Sequence, residues 1–344
     1  MKKIIVLLFL VAGYDSQSQY LTTKDSITHF YDSLIYHMKT DYLYRQDVAW
    51  DKVEVIKSRA LEAETFGKSL QYCTNIFDAI DGSHLNLFSD YGWFKWSKGK
   101  EYQQEDFNIN FLLKYENDPQ FEVKVIDNTY GYILLPAMLM LDLSQDSLNL
   151  ATQQMYDEIM NIQDTHRPTG WIIDLRFNSG GNVFPMLTAL YHLLGNKTLY
   201  NCIDLQEKLL STVYLDNGVI HDSEDGVDHA TIIPTSEPDL EVPVAIITGI
   251  LTASSGELIP ISFGDRANTI TIGEPTAGFT TANSLRKLPF DVKLTLTTSF
   301  MTDGQFRYES VITPDILVER EANFDNLAQD ANVIQALQFF ESLN

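Results

Sequence analysis

Two stretches of nearly continuous apolar residues each run straight into a glycine- or serine-marked helix start, and they constrain the fold more than anything else in the chain. The first is Gly170–Leu175 (GWIIDL), followed by Arg-Phe-Asn-Ser-Gly-Gly181; the second is Val242–Thr248 (VPVAIIT), followed by Gly-Ile-Leu-Thr-Ala-Ser-Ser-Gly-Glu257. A strand without polar alternation belongs to a sheet covered on both faces. Strand–helix alternation around these two stretches supports the same reading. Tyr130–Leu135 reads as a strand, Asp146–Asp164 as a helix, Gly180–Leu194 as a helix opening after a glycine pair, and Ser254–Gly264 as a further helix. Thr269–Ile272 and Val292–Thr298 read as later strands, and 326–341 as a closing helix. The expected class is α/β, with crossover helices on both faces of a sheet.

The rest of the chain divides by pattern. Met1–Gly13 (MKKIIVLLFLVAG) has a two-lysine start and a short apolar run, too short to span a bilayer. With the polar stretch that follows, it reads as a secretory signal over 1–19, and the protein is expected to be exported to a periplasm or secreted. Residues 20–84 carry apolar residues at three- and four-residue steps, such as Ile27, Phe30, Leu34, Ile35 and Met38, which predicts an N-terminal helical cap. Residues 85–128 are mixed aromatic and polar and are expected to form strands or a flap over the cleft, an insert before the core; Tyr91, Trp93, Phe94 and Trp96 either line a groove or pack in a core edge or hairpin. Residues 129–344 are the α/β core. The 344 residues suit about two domains, or one domain with a helical extension.

Charge narrows the partners. There are 47 acidic against 24 basic residues, a formal net charge of −23, which repels phosphate backbones and anionic lipid. Neither nucleic acid nor membrane embedding is expected. Two cysteines, Cys73 and Cys202, exclude a disulfide-dense scaffold and a four-cysteine zinc site. No HExxH or other metal-ligand spacing occurs, so no metal or cofactor is expected.

In open α/β sheets ligands bind beyond the carboxyl ends of strands, where the next helix starts. Gly180 and Gly181 there free backbone N–H groups to meet an anion, although a tight strand–helix turn explains them equally well. Ser254 and Ser255 stand at the second helix start, as a nucleophile or as an N-cap. A serine nucleophile needs a base. Of the seven histidines, His84 stands out by context, in the turn Asp81-Gly-Ser-His84 before the apolar Leu85-Asn-Leu-Phe88.

Together these segments resemble the C-terminal processing (tail-specific) protease family of serine peptidases over nearly all of the chain after its leader. Arg45-Gln-Asp-Val-Ala-Trp50 is similar to the family's entry into its N-terminal helices, and Asp81-Gly-Ser-His84 to the motif ending them. Asp174-Leu-Arg-Phe-Asn-Ser-Gly-Gly181 resembles the family's D-L-R-x-N-x-G-G hallmark. Thr252-Ala-Ser-Ser-Gly-Glu257, Gly273-Glu-Pro-Thr-Ala-Gly278 and Val311-Ile-Thr-Pro-Asp315 resemble its next three motifs in order.

The resemblance implies a crotonase-like ββα core (ClpP/crotonase type) and a serine peptidase acting on peptide or unfolded protein. It makes Ser254 the nucleophile, three positions before Glu257, with Glu257 and Asp265 as supporting acids. Oxyanion donors would be the Ser255 N–H and that of Gly180 or Gly181. The family's processing branch places a lysine base directly after the glycine of its G-E-P-T-x-G motif; here that position is Phe279. The tricorn-like branch uses a histidine preceded by serine plus a distant glutamate, matched here by Ser83-His84 and Glu309. This implies His84 as base, with Ser83 and Glu309 orienting or polarising it. Only 45 residues separate the cap from the core strands, too few for a PDZ insert. Two other classes fit the same core: a non-catalytic module binding hydrophobic ligands or peptides, and an acyl-CoA enzyme, which an exported chain disfavours.

Overall fold

The computed structural model describes residues 22–140, 143–224 and 226–343; the expected signal segment lies outside them. Helix α1 (Thr23–Asp41) starts at a reciprocal cap. The Thr22 hydroxyl accepts from the Asp25 N–H, and the Asp25 carboxylate accepts from the Thr22 N–H, both at 3.1 Å. Its buried stripe is Ile27, Phe30, Tyr31, Leu34, Ile35 and Met38, the three-and-four spacing of the sequence. Helices α2 (Trp50–Ala60), α3 (Phe66–Ser69) and α4 (Gln71–Ala79) complete the N-terminal group.

Strands β1 (Asn86–Ser89) and β2 (Gly92–Lys95) form a hairpin, followed by α5 (Ile109–Glu116) and β3 (Glu122–Ile126). Next come β4 (Tyr130–Leu134), α6 (Gln145–His166), β5 (Trp171–Asp174), α7 (Val183–Ala189) and α8 (Tyr191–Leu194). Four strands follow: β6 (Lys197–Ile203), β7 (Leu209–Asp216), β8 (Val219–Asp222) and β9 (Asp228–Thr231). The chain then forms β10 (Val244–Thr248), α9 (Ser255–Ser262), β11 (Thr269–Gly273), β12 (Thr281–Leu288) and β13 (Val292–Thr302). It ends with the short β14 (Arg307–Tyr308) and β15 (Ile316–Leu317), and with α10 (Ala331–Ser342).

The strands make two sheets, so the fold is mixed α/β. The six-stranded sheet has order β15-β11-β10-β5-β4-β3, parallel except where β3 pairs antiparallel with β4. Every residue of β5 and β10 is buried, because α6, α7 and α9 contribute to the core on one face and α5 and α10 on the other. The second sheet runs β2-β1-β13-β6-β7-β8-β9, with β12 and β14 also paired to β13. Its hub is the eleven-residue β13, which bonds β1 at Lys293–Thr295 and β6 at Phe300–Thr302. The N-terminal helices bury their apolar faces against Leu87, Leu288, Val292, Leu294 and Leu296 of this sheet. Cys73 and Cys202 sit in different core clusters as free thiols.

Residues 85–128 hold strands: the β1–β2 hairpin joins the second sheet, and β3 is an edge of the first. Two expectations change. The helix expected from Gly180 begins only at Val183 and breaks into α7 and α8, because Gly180 and Gly181 sit at φ 108° and 124°, outside helical geometry. The antiparallel run β6–β9 was not foreseen. Its clearest signal is the period-2 burial of β7, flanked by turns at Asp204–Lys208 and Asn217–Gly218.

The aspartate and arginine of the D-L-R motif hold the C-terminal helix to the sheet. Arg176 lies buried between two buried acids. Its guanidinium grips both oxygens of Asp174 at 2.6–3.1 Å and bonds Asp330, the N-cap of α10, at 2.9 Å. The Tyr132 hydroxyl donates to the second Asp174 oxygen at 2.8 Å. The guanidinium beside Asp330 lowers that carboxyl's pKa against the upward push of burial. Removing one member of such a network strands buried charge. Arg176→Met is expected to cost about 3–5 kcal/mol in urea unfolding; a loss below about 1 kcal/mol would show that α10 is anchored by its apolar face alone.

Candidate active site

The loops leaving β5 and β10 are stitched together. The Thr252 hydroxyl accepts from the Gly249 N–H at 2.9 Å and donates to the Leu175 carbonyl at 2.8 Å; the Ala253 N–H donates to the Asn178 carbonyl at 2.9 Å. A Cβ on Gly256 would come within 2.4 Å of that carbonyl, so glycine lets the two loops touch. From Ala253 the chain must turn abruptly into α9. Ser254 takes the turn at φ 53°, ψ −118°, a conformation that a side chain disfavours by about 1–3 kcal/mol. That strain thrusts its hydroxyl out at the helix N-terminus, the geometry of a nucleophile elbow.

Glu257 holds the turn. One oxygen of its buried carboxylate accepts from the Ser254 N–H and the Phe279 N–H, each at 2.8 Å. The other accepts from the Gly278 N–H at 2.8 Å and from the Thr276 hydroxyl. Burial pushes the carboxyl pKa up and these donors oppose it; it forms no ion pair among the described residues. The Thr276 hydroxyl in turn accepts from the Ile312 N–H at 2.8 Å. Glu257 thus ties the elbow to the loop that feeds β12.

His84 arrives from the other sheet. It ends the turn after α4, two residues before β1, and it is buried. Its Nε2 lies 2.9 Å from Ser254 Oγ, across 170 residues of sequence, and its Nδ1 lies 2.8 Å from Thr281 Oγ1 at the start of β12. Its backbone carbonyl accepts from the Asn283 side chain at 2.7 Å and the Asn86 side chain at 3.2 Å. The Phe279 ring, where a lysine would stand in the processing branch, packs on the imidazole at 5.4 Å between centroids. Burial lowers the His84 pKa to about 4, so the ring is neutral at pH 7 with one nitrogen free to accept a proton.

The glycine pair lies against the serine. A Cβ on Gly180 would sit 2.9 Å from Ser254 Cβ, and one on Gly181 would strike the Met138 carbonyl at 2.0 Å. The Gly180 N–H donates to Asn178 Oδ1 at 3.0 Å. The Ser255 hydroxyl donates to the Gly181 carbonyl at 2.6 Å, locking the two helix starts together. Ser255 occupies the first position of α9, whose N–H has no partner within the helix.

Of the other expected site residues, Ser83 lines the cleft without bonding the His84 ring, and Glu309 and Asp265 stand elsewhere. Ser83 is on the exposed side of its turn, while both ring nitrogens of His84 bond other groups. Glu309 is exposed and pairs with Arg307 instead of reaching His84. Asp265 lies past the end of α9, 78% exposed in its side chain, and pairs with Lys197. Sequence reasoning missed Thr281, Asn283 and Asn86. None lies in a motif, and Thr281 meets His84 only across 197 residues of chain.

The serine and histidine open onto a cleft of about 2130 Å³ that Phe88, Trp93, Trp96 and Tyr102 help to line. Alternation in the hairpin explains the sorting. Phe88 and Trp93 pair and stack toward the cleft at 5.8 Å, while Leu87 and Phe94 pair toward the N-terminal helices. Tyr91 packs on Phe66 at 5.8 Å, away from the opening.

The profile of Peptidase family S41 matches residues 129–318, more than half of the chain. A nisin-resistance protein of Lactococcus lactis subsp. lactis is 32% identical over 149 residues, 43% of this chain and 45% of that protein; the match spans less than half of the relative's length. Among solved structures, a lipoprotein from Streptococcus agalactiae superposes with a TM-score of 0.66 at 21% identity, covering 93% of this chain and 97% of that one. A candidate peptidase from Parabacteroides merdae ATCC 43184 gives 0.55 at 15% identity, covering 91% and 96%. Both share the fold.

Two measurements follow from the site. An unfolded histidine binds its proton near pH 6.5, the folded His84 near 4, so the unfolded chain gains a proton first as pH falls. Stability is expected to fall between pH 6.5 and 4, by about 3 kcal/mol in all, and less in His84→Gln; parallel urea-midpoint curves for the two proteins would exclude a buried neutral His84. Glu257→Gln turns an amide N–H₂ on a pocket of donors and is expected to cost about 1–3 kcal/mol in thermal unfolding. An unchanged Tm would mean that the elbow holds without it.

Proposed function

The chain belongs to peptidase family S41, and from that premise we propose that it is a serine-type peptidase working through an acyl-enzyme on Ser254. The observation that carries this reading is the 2.9 Å contact of His84 Nε2 with Ser254 Oγ, made at a strained elbow inside the cleft. His84, neutral at pH 7, takes the serine proton as Oγ attacks the peptide carbonyl, then gives it to the leaving amine. Water repeats the sequence to release the acyl group. The oxyanion is met by the Ser255 N–H at the start of α9 and by the Gly181 N–H; the Gly180 N–H is already committed to Asn178. Glu257 is read as the support of the elbow, and Ser83, Glu309 and Asp265 as outside the reaction.

The parallel sheet with its crossover helices is read as the crotonase-type core, and α1–α4 as its cap. Export through residues 1–19 is part of the same reading. No helix of the described residues is long and apolar enough to cross a membrane. The open, aromatic-walled cleft suits an extended peptide. The nisin-resistance relative makes nisin a peptide to include beside casein and a mixed peptide library.

Digests read by mass spectrometry test the proposal. Native protein is expected to cut, Ser254→Ala to lose at least about 10³-fold of the rate, and Ser255→Ala to stay within about tenfold. Activity kept in Ser254→Ala but lost in Ser255→Ala would move the nucleophile by one residue. Cleavage by neither protein, with no labelling of Ser254 by a fluorophosphonate, would leave the ligand-binding reading in its place.

A further inference from the structure

The groups packed around His84 come from five places, and none of them supplies a carboxylate to the ring. The N-cap of helix α9 offers Ser254, and the Glu257 behind it is turned onto the N–H groups of Ser254, Gly278 and Phe279. The loop before β12 offers the Phe279 ring. Strands β1 and β12 offer Asn86 and Asn283, both spent on the His84 carbonyl, and Thr281. From the turn after α4, Asp81 is exposed and its carbonyl accepts from the Ser83 N–H. Burial is what lowers the His84 pKa.

We propose that Thr281 is the positioning residue of the catalytic histidine, its neutral hydroxyl standing where a carboxylate would orient the ring. This rests on the reading of Ser254 and His84 as nucleophile and base. For Nε2 to accept the Ser254 proton, the neutral ring must carry its own proton on Nδ1. Thr281 Oγ1, 2.8 Å from Nδ1, is placed to accept that proton's hydrogen bond and so holds the ring while it carries the productive tautomer. The proton balance is simple. The Ser254 proton passes to Nε2, Nδ1–H stays bonded to Thr281 throughout, and the threonine neither gains nor loses a proton. Thr281 lines the cleft, so its hydroxyl proton can turn to water there while the oxygen faces Nδ1. Two other features hold the arrangement. Thr281 is paired in register with Phe300 of the hub strand, and Asn283, two residues on, clamps the His84 backbone. The ring and its orienting hydroxyl therefore ride on one sheet.

A hydroxyl and a carboxylate do different work. Both hold the ring, but only a carboxylate, which can accept and not donate, dictates the tautomer, stabilises the imidazolium and raises its pKa. The test uses the full chain and two readouts: the rate of Ser254 labelling by a fluorophosphonate, which needs no known substrate, and its dependence on pH. Thr281→Val keeps a β-branched side chain on the strand and is expected to slow labelling at least tenfold with an unchanged Tm. Thr281→Ser is expected to restore the rate to within about threefold. Thr281→Asp is expected to move the acid limb of the profile upward by at least one pH unit. A Thr281→Val protein that labels at the native rate with the native profile overturns the proposal, as does a Thr281→Ser protein as slow as Thr281→Val. Failure of the underlying reading is distinguishable, because it would show as His84→Ala labelling at the native rate.

Discussion

A single buried carboxylate, that of Glu257, decides whether the two sheets can share a site. It stands at the third position of α9 and accepts hydrogen bonds from the elbow on one side and from the 276–279 loop on the other. A buried anion without an ion-pair partner is costly, and its donors are what make it tolerable. Those donors come from parts of the chain about twenty residues apart, so satisfying the charge forces them together. The strained Ser254 backbone is retained because its N–H is one of them. The loop that supplies the others delivers the chain directly into β12, the strand that carries Thr281 and Asn283 to His84.

Much of what the motifs share is scaffold. Asp174 and Arg176 bind the end of β5 to α10. Thr276 joins Glu257 to Ile312, and Asp315 accepts from both the N–H and the hydroxyl of Thr271, pinning β15 beside β11. Gly180, Gly181 and Gly256 stand where a Cβ would collide with the opposing loop. The pattern that marks the family at the level of sequence is therefore largely the set of contacts that hold an elbow, a glycine turn and a loop in register. Beside them, Phe279 fills the lysine position with a ring that packs on the imidazole and donates its N–H to Glu257. The aromatic ring is part of the burial that lowers the His84 pKa.

Legibility followed the range of the interactions. The α1 stripe and the buried strands β5 and β10 were visible because burial on a regular element writes its period into adjacent residues. The start of α7 was misplaced by three residues because Gly180 and Gly181 take positive φ to clear Ser254 and Met138, a tertiary demand. The β6–β9 meander was missed although β7 alternates, since short strands between turns carry weak signals. Glu309 and Asp265 were expected near the site by position along the chain, yet each found a cation nearby and stayed at the surface.

Choosing Ser254 over Ser255, and giving Glu257 a role, took the resemblance to a family; by itself the sequence determined the class of fold, the serine pair at a strand-to-helix turn, the glycine pair and the one histidine set in a turn before a strand. These are local demands: a strand buried on both faces, a sharp strand-to-helix turn, a backbone that only glycine can adopt. What only the tertiary structure decided is which groups meet. Serine and histidine come from different sheets, 170 residues apart, and the partner on Nδ1 proved to be a threonine 197 residues from the ring. Hydrogen bonds at that separation depend on sheet register and loop closure, and neither leaves a periodic trace in the chain.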